Sequence, residues 1–180
     1  KSKKDELRRA LEGRLTQVQR WVLTEWLARL AELEAALTRV ETRIGEEVKA
    51  NADPFVPAAV ALLDSIPGVG ERTAQTIIAE IGVDMSRFPS AKHLASWAGL
   101  CPGNNESAGK RKSGQTTKGN QALRTALVEA AWAATRTKGT YLRAKYQRLV
   151  RRMPKKKALV AVAHTMLVVV YHLLSRRVAY

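Results

Sequence analysis

Residues 104–114, Asn104-Asn105-Glu106-Ser107-Ala108-Gly109-Lys110-Arg111-Lys112-Ser113-Gly114, set hydroxyls among glycines and cations. Attack on a phosphodiester needs a side-chain oxygen able to reach phosphorus and neighbours that stabilise the charge gathering on the phosphorane. Ser107, followed by Gly109, Lys110, Arg111 and Lys112, offers both. The same composition describes a solvated polar turn, and Ser113, Thr116 and Thr117 are nearly as eligible as Ser107. Residue types alone leave the nucleophile, and catalysis itself, open, and no side chain stands out as a general base. A metal-dependent route needs clustered carboxylates. After Asp84 the chain carries only Glu106 and Glu129, too few to build a two-metal site unaided.

Upstream, Leu62-Leu63-Asp64-Ser65-Ile66-Pro67-Gly68-Val69-Gly70-Glu71-Arg72-Thr73-Ala74 resembles a helix-hairpin-helix, spanning residues 66–82 with its second helix. Glycines let backbone approach a phosphate, and the amides of Gly68 and Gly70 at a helix N-terminus, with Arg72 beside them, are donors for its oxygens. Such contacts position a protein on nucleic acid without reading sequence. A tight turn between two packed helices has the same pattern. Base-excision glycosylases share the hairpin but use a lysine where this chain has Arg72, which cannot form a Schiff base. A single cysteine, Cys101, also cannot hold an iron–sulfur cluster or an internal disulfide, and fits a reducing compartment as a small packed residue.

The net charge of +15 is unevenly placed: residues 1–100 carry 14 Lys and Arg against 14 Asp and Glu, residues 101–180 carry 17 against 2. A basic half is the electrostatic footprint of a nucleic-acid binder, because neutralised phosphates release condensed counterions. Lys110, Arg111, Lys112, Lys118 and Arg124 are close enough in sequence to Ser107 to line a scissile phosphate. Arg143, Lys145, Arg148, Arg151, Arg152, Lys155, Lys156 and Lys157 read as a track for the polynucleotide, with Tyr141 and Tyr146 available for stacking, or else as a solvated basic face. A membrane role is weaker. The apolar run over residues 158–174 is interrupted by His164, Thr165, Tyr171 and His172, as in a buried core helix. His93, His164 and His172 read as core residues, and Trp21, Trp26, Trp97 and Trp132 as core or pairing anchors.

These residues need elements to hold them. Leu23, Trp26, Leu30, Leu33, Leu37, Val40 and Ile44 alternate steps of three and four, a heptad seam with charged flanks that predicts a helix pairing with another helix, the alternative being an amphipathic helix folded against its own domain. The prolines of Asn51-Ala52-Asp53-Pro54-Phe55-Val56-Pro57 halt it, giving a coiled-coil arm over 1–50 and a second domain over 51–180. Further helices are predicted over 58–65, 71–81 with Gly82 as its cap, 91–98 capped by Ser90, 120–137, 141–152 and 158–174, with short strands possible between 99 and 117. The fold class is mostly α. The charged start lacks an initiator methionine, which reads as a piece of a longer protein.

A resemblance sharpens this. The hairpin, Phe88-Pro89-Ser90-Ala91, Leu94-Ala95-Ser96-Trp97-Ala98-Gly99-Leu100-Cys101-Pro102-Gly103, Asn105-Glu106-Ser107-Ala108-Gly109-Lys110, Lys118-Gly119-Asn120, Leu123-Arg124 and Ala161-Val162-Ala163-His164 occur in one order. Together they resemble the C-terminal half of the transposases of bridge-RNA-guided insertion sequences. In that family an N-terminal RuvC-like domain with a DEDD carboxylate set is joined by a coiled coil to a serine-bearing transposase domain. The resemblance implies a mostly α, helix-hairpin-helix-containing transposase domain with an N-terminal long coiled-coil helix. It implies Mg²⁺ in the RuvC-like domain, no cofactor in this stretch, and a serine matching Ser107 that attacks DNA to give a phosphoserine intermediate. The family's Ser-Gly-Gly-Lys-like run corresponds to Ser107-Ala108-Gly109-Lys110, with Ser113 as the alternative assignment. Implied partners are donor and target DNA, a guide (bridge) RNA and further copies of the chain through the coiled coil, in a bacterial cytoplasm near the nucleoid; this stretch alone would be inactive. The competing readings are a non-catalytic helix-hairpin-helix module that grips DNA or RNA, and a coiled-coil scaffold.

Overall fold

The computed structural model describes residues 5, 6, 9, 13, 15–103 and 105–180, with backbone only for 105, 106 and 110–112. The chain divides into two compact units, Lys1–Ala50 and Asn51–Tyr180.

The first unit is dominated by α1, Gln17–Lys49, 33 residues and about 50 Å long at about 1.5 Å per residue. It starts on a capping box: the Thr16 hydroxyl accepts from the Gln19 amide at 3.3 Å, and the Gln19 side-chain oxygen accepts from the Thr16 amide at 2.9 Å. None of its residues is buried. The seam from Leu23 to Ile44 is 40–71% exposed, so no described residue of its own unit covers it. Its ion pairs, such as Arg29–Glu32 at 3.0 Å, lie in solvent and contribute little.

The second unit is built on the last helix. Proceeding along the chain, α2 is Phe55–Asp64 and α3 Glu71–Ile81, followed by a 3₁₀ turn Met85–Arg87 and α4, Ala91–Trp97. A two-stranded antiparallel ribbon follows, β1 Asn105–Ser107 with β2 Lys110–Ser113, then α5 Gln121–Ala134, α6 Tyr141–Val150 and α7 Lys155–Arg176. By length and composition α7 could cross a membrane. Instead α2, α4, α5, α6 and the 3₁₀ turn pack around it, and Ala158, Val162, Ala163, Met166, Leu167, Val170, Leu173 and Leu174 are core.

Two glycine contacts hold the frame together. The turn between α2 and α3 tucks Ile66 and Val69 into the core and lays Gly68 on the last turns of α5. A Cβ on Gly68 would collide with the Ala130 carbonyl oxygen and stand 2.5 Å from the Ala134 nitrogen. Further on, Gly99 after α4 and Gly119 before α5 touch backbone to backbone, and a Cβ on Gly99 would meet the Gly119 nitrogen at 2.7 Å. This pinches the segment between them into a stalk with a closed neck. Asn120 completes the neck: its side-chain oxygen caps α5 through the Leu123 amide at 2.9 Å, and its amide group donates to Glu80 of α3 at 2.5 Å.

The helices expected over 71–81, 91–98 and 120–137 form within a few residues of those bounds. Two start earlier than predicted. α2 begins at Phe55, not 58, because Asp53 accepts from the Phe55 amide at 2.9 Å and so organises the first turn. α7 begins at Lys155, not 158, so the lysine triplet is helical.

Candidate nucleic-acid interface

Above its neck, the stalk runs antiparallel. Pro102 bridges Thr116, the Gly103 amide donates to the Gln115 carbonyl at 2.7 Å, and Asn105, Glu106 and Ser107 pair with Ser113, Arg111 and Lys110. Between Asn105 and Glu106 the register slips, as at a β-bulge. Ala108 and Gly109, with φ of 51° and 73°, make the two-residue turn that right-twisted hairpins favour. Ser107, exposed, is therefore the last ladder residue before the tip. Lys110, Arg111 and Lys112 share β2 through their backbone; their side chains, like that of Glu106, lie outside the described residues.

At the foot of the stalk lies a cleft of about 900 Å³. The stalk supplies Pro102 and the run from Ser113 to Thr116; α5 supplies Arg124; α6 supplies Lys145 and Leu149; α7 supplies Lys156, Lys157, Val160, Ala161, His164 and Thr165. No Asp or Glu is among the described lining residues. Ser113 lines the cleft, where its hydroxyl accepts from the Gln115 amide at 3.1 Å, and Ser107 does not. The N-terminus of α7 carries three consecutive lysines and no acid, against the preference of the helix macrodipole for negative charge there. That arrangement suits a bound anion.

His164 stands apart from its expected place in the core. It is half-buried and lines the cleft. Burial, and then the Lys145 charge, hold its imidazole below the ordinary histidine pKa, so it stays neutral further into acid. One sequence signal pointed to it: Lys157, Ala161 and His164 recur at steps of four and three, one face of a helix whose first turn is cationic.

The remaining predicted binding residues are dispersed. Gly68 is occupied with α5, whereas Gly70 caps α3 in open space, beside Arg72, which is exposed. Lys118 is exposed at the neck. Along α6 and the turn after it, Arg148, Arg151 and Arg152 are exposed, Lys145 lies 5.7 Å from the Tyr141 ring centre, and Arg143 reaches the Arg136 carbonyl at 3.4 Å. Lys155 is exposed beside the two lysines of the cleft. The tryptophans are not core: Trp97 is 44% exposed and leans on Phe88, and Trp132 is 57% exposed under the Arg136 guanidinium. Trp132 follows Ala130 and Ala131, both buried, and so falls on the outer face of α5. His172 is exposed too. Cys101 is half-buried, and burial pushes its thiol up, which keeps it protonated and unreactive.

Among the described residues no three His, Cys, Asp or Glu side chains come together to hold a metal ion. The described residues do not fit Mg²⁺.

Residues 60–147 match a family described as Transposase IS116/IS110/IS902. A probable family 20 transposase of Pseudomonas aeruginosa is 30% identical over 163 residues, 88% of this chain and 46% of that protein. The pilin gene-inverting protein of Moraxella bovis is 32% identical over 143 residues, 76% of this chain and 42% of that protein. The transposase for insertion sequence element IS1111A of Coxiella burnetii is 30% identical over 178 residues, covering 94% and 45%. The chain thus spans under half the length of these relatives.

Proposed function

The chain belongs to the IS116/IS110/IS902 transposase family and carries its C-terminal transposase region, and from that premise we propose that it cleaves and exchanges DNA strands through a serine nucleophile. The observation that carries this reading is the placement of Ser107, exposed beside the tip of a neck-pinned ribbon whose foot opens into a cationic cleft with no acid among its described lining residues. The Ser107 oxygen attacks phosphorus, forming an Oγ–P bond while one bridging P–O bond breaks. The electron pair leaves with the departing strand oxygen, which takes a proton, and Ser107 loses its own. One phosphoester replaces another, so a second strand's hydroxyl can reverse the step and seal the exchange. Lys118 and Arg124 stabilise the charge that builds on the phosphoryl oxygens, while Lys145, Arg148 and the cations up to Lys157 hold the strands by their phosphates.

Much of the activity lies outside these residues. Carboxylates of a RuvC-like domain in the longer protein would bind Mg²⁺, which would supply Lewis-acid stabilisation. A guide RNA would choose the target. The α3 N-terminus, with Gly70 and Arg72, would grip a phosphate as a helix-hairpin-helix does, and the heptad seam of α1 would join copies of the chain. Ser113 is the second candidate nucleophile, favoured by its place in the cleft with Arg124 and His164.

The test is a protease-sensitive protein–DNA adduct on a denaturing gel, formed by the full-length protein with guide RNA and end-labelled donor and target DNA. Loss of the adduct in Ser107→Ala alone is the expected result, and loss in Ser113→Ala alone moves the nucleophile to Ser113. Recombinant product without any wild-type adduct would overturn covalent serine catalysis and leave a clamp for DNA cut elsewhere.

A further inference from the structure

We propose that the cleft at the foot of the stalk holds an unpaired polynucleotide segment, two or three nucleotides long, with its bases turned inward. This rests on the nucleic-acid reading above and adds what that reading leaves open, the state of the strand at this site.

The cleft is layered. Lys156 and Lys157 are exposed, and Arg124 and Lys145 half-buried, so cations from three helices form its rim. Beneath them the wall is apolar: Leu149 is buried, and Met153 and Val160 are half-buried. A site for duplex backbone has no use for such a wall, because the bases of a duplex are stacked on one another and only phosphates and sugars meet the protein. Unstacked bases do present flat apolar faces, and they seek apolar or aromatic surface while their phosphates stay with cations at the edge. His164 offers a flat ring and a nitrogen within the wall for a base edge.

Size agrees. The cleft, about 900 Å³, lies at the top of the range of roughly 300–1,000 Å³ found for pockets that enclose small ligands. That admits more than one nucleotide and no duplex. Strand exchange also requires paired strands to come apart near the scissile phosphate, and the cleft opens off the stalk that carries Ser107 and Ser113.

The same chemistry is offered by unpaired DNA and by unpaired RNA. The experiment is fluorescence anisotropy on the 180-residue chain with three labelled probes of equal length: oligodeoxythymidine, oligouridine and a blunt DNA duplex. Val160→Trp fills the wall with neutral bulk. It is expected to weaken one or both single strands about tenfold, the equivalent of one lost base contact at about 1–3 kcal/mol, and to leave the duplex within about twofold. Weakening confined to oligodeoxythymidine assigns the segment to DNA, and weakening confined to oligouridine assigns it to RNA. Equal weakening of strands and duplex, or none, overturns the proposal. If Val160→Trp fails to fold by circular dichroism, Lys156→Gln with Lys157→Gln decides. The salt slope for the single strand should then fall by about 0.7 per lysine, and an unchanged slope overturns it. A wild-type chain that binds no probe would defeat the nucleic-acid reading itself, whereas duplex binding with an indifferent Val160→Trp defeats this inference alone.

Discussion

Replacing Gly68 by alanine separates two explanations of the α2–α3 turn. If its glycines exist to let a phosphate approach, Gly68→Ala should weaken DNA binding and leave folding intact. The geometry says otherwise. Gly68 sits at φ 89°, and the added methyl carbon would run into the Ala130 carbonyl and lie 2.5 Å from the Ala134 nitrogen. Both are helix backbone, so neither yields as a side-chain tip would. Left-handed strain costs an alanine about 1–2 kcal/mol and overpacking about 1–3, offset by about 0.4–1 through the less flexible unfolded chain, for a net loss of about 1–4.6 kcal/mol. With a urea dependence near 2 kcal/mol per molar, the unfolding midpoint should drop by about 0.5–2.3 M. Gly70→Ala is the control. Its φ is −105°, nothing lies within 4 Å of the site, and the cost should stay under about 1 kcal/mol. A Gly68→Ala midpoint equal to wild type, with duplex binding lost, would refute the packing argument and return Gly68 to the phosphate.

Other perturbations follow from single contacts. Because the folded His164 has the lower pKa, the unfolded chain binds the extra proton between that value and about 6.5. Stability should therefore fall as pH drops through this window, and fall less in His164→Gln; urea midpoints at pH 7.5 and 5 measure the difference. Asn120→Ala removes the α5 cap and the tie to Glu80, and should cost about 1–2 kcal/mol in the same assay, with Asn120→Asp keeping the cap but not the donor. Charged residues at Leu30 and Leu37 should shift the chain toward monomer in sedimentation, and a wild type already monomeric at high concentration would end the pairing reading of α1.

The parts of this fold that were legible in the sequence are those set by neighbours along the chain. Ala74, Ile77, Ile78 and Ile81 recur at helical spacing and are the buried residues of α3, and Gly82 follows with the positive φ that ends it. The alternation from Leu23 to Ile44 gave α1 for the same reason. The lysine triplet escaped because periodicity is sought in apolar residues, so a helix whose first turn is all cations reads as starting late. Residue type misled at Trp132, since a tryptophan suggests a core wherever it occurs, although its helix buries the opposite face. The contact of Gly99 with Gly119 and the walls of the cleft join segments twenty to sixty residues apart, and no local pattern announces them.

Several local rules are broken in this chain, and the breaks gather around the stalk and the cleft. Three lysines occupy the positive end of α7, where acids belong. Ala108 takes a φ of 51° at a turn position that suits asparagine or glycine. Lys145 is half-buried near His164, and no carboxylate is described in the wall between them. Each feature lowers the stability of the free protein, yet on the proposed function each would be relieved or put to use by a bound polyanion: phosphates would complete the α7 terminus and neutralise Lys145, and the tight turn would present Ser107 beyond the core. A sequence shaped for folding alone would place acids on that rim, whereas one shaped to close around a strand leaves the missing charge to its partner.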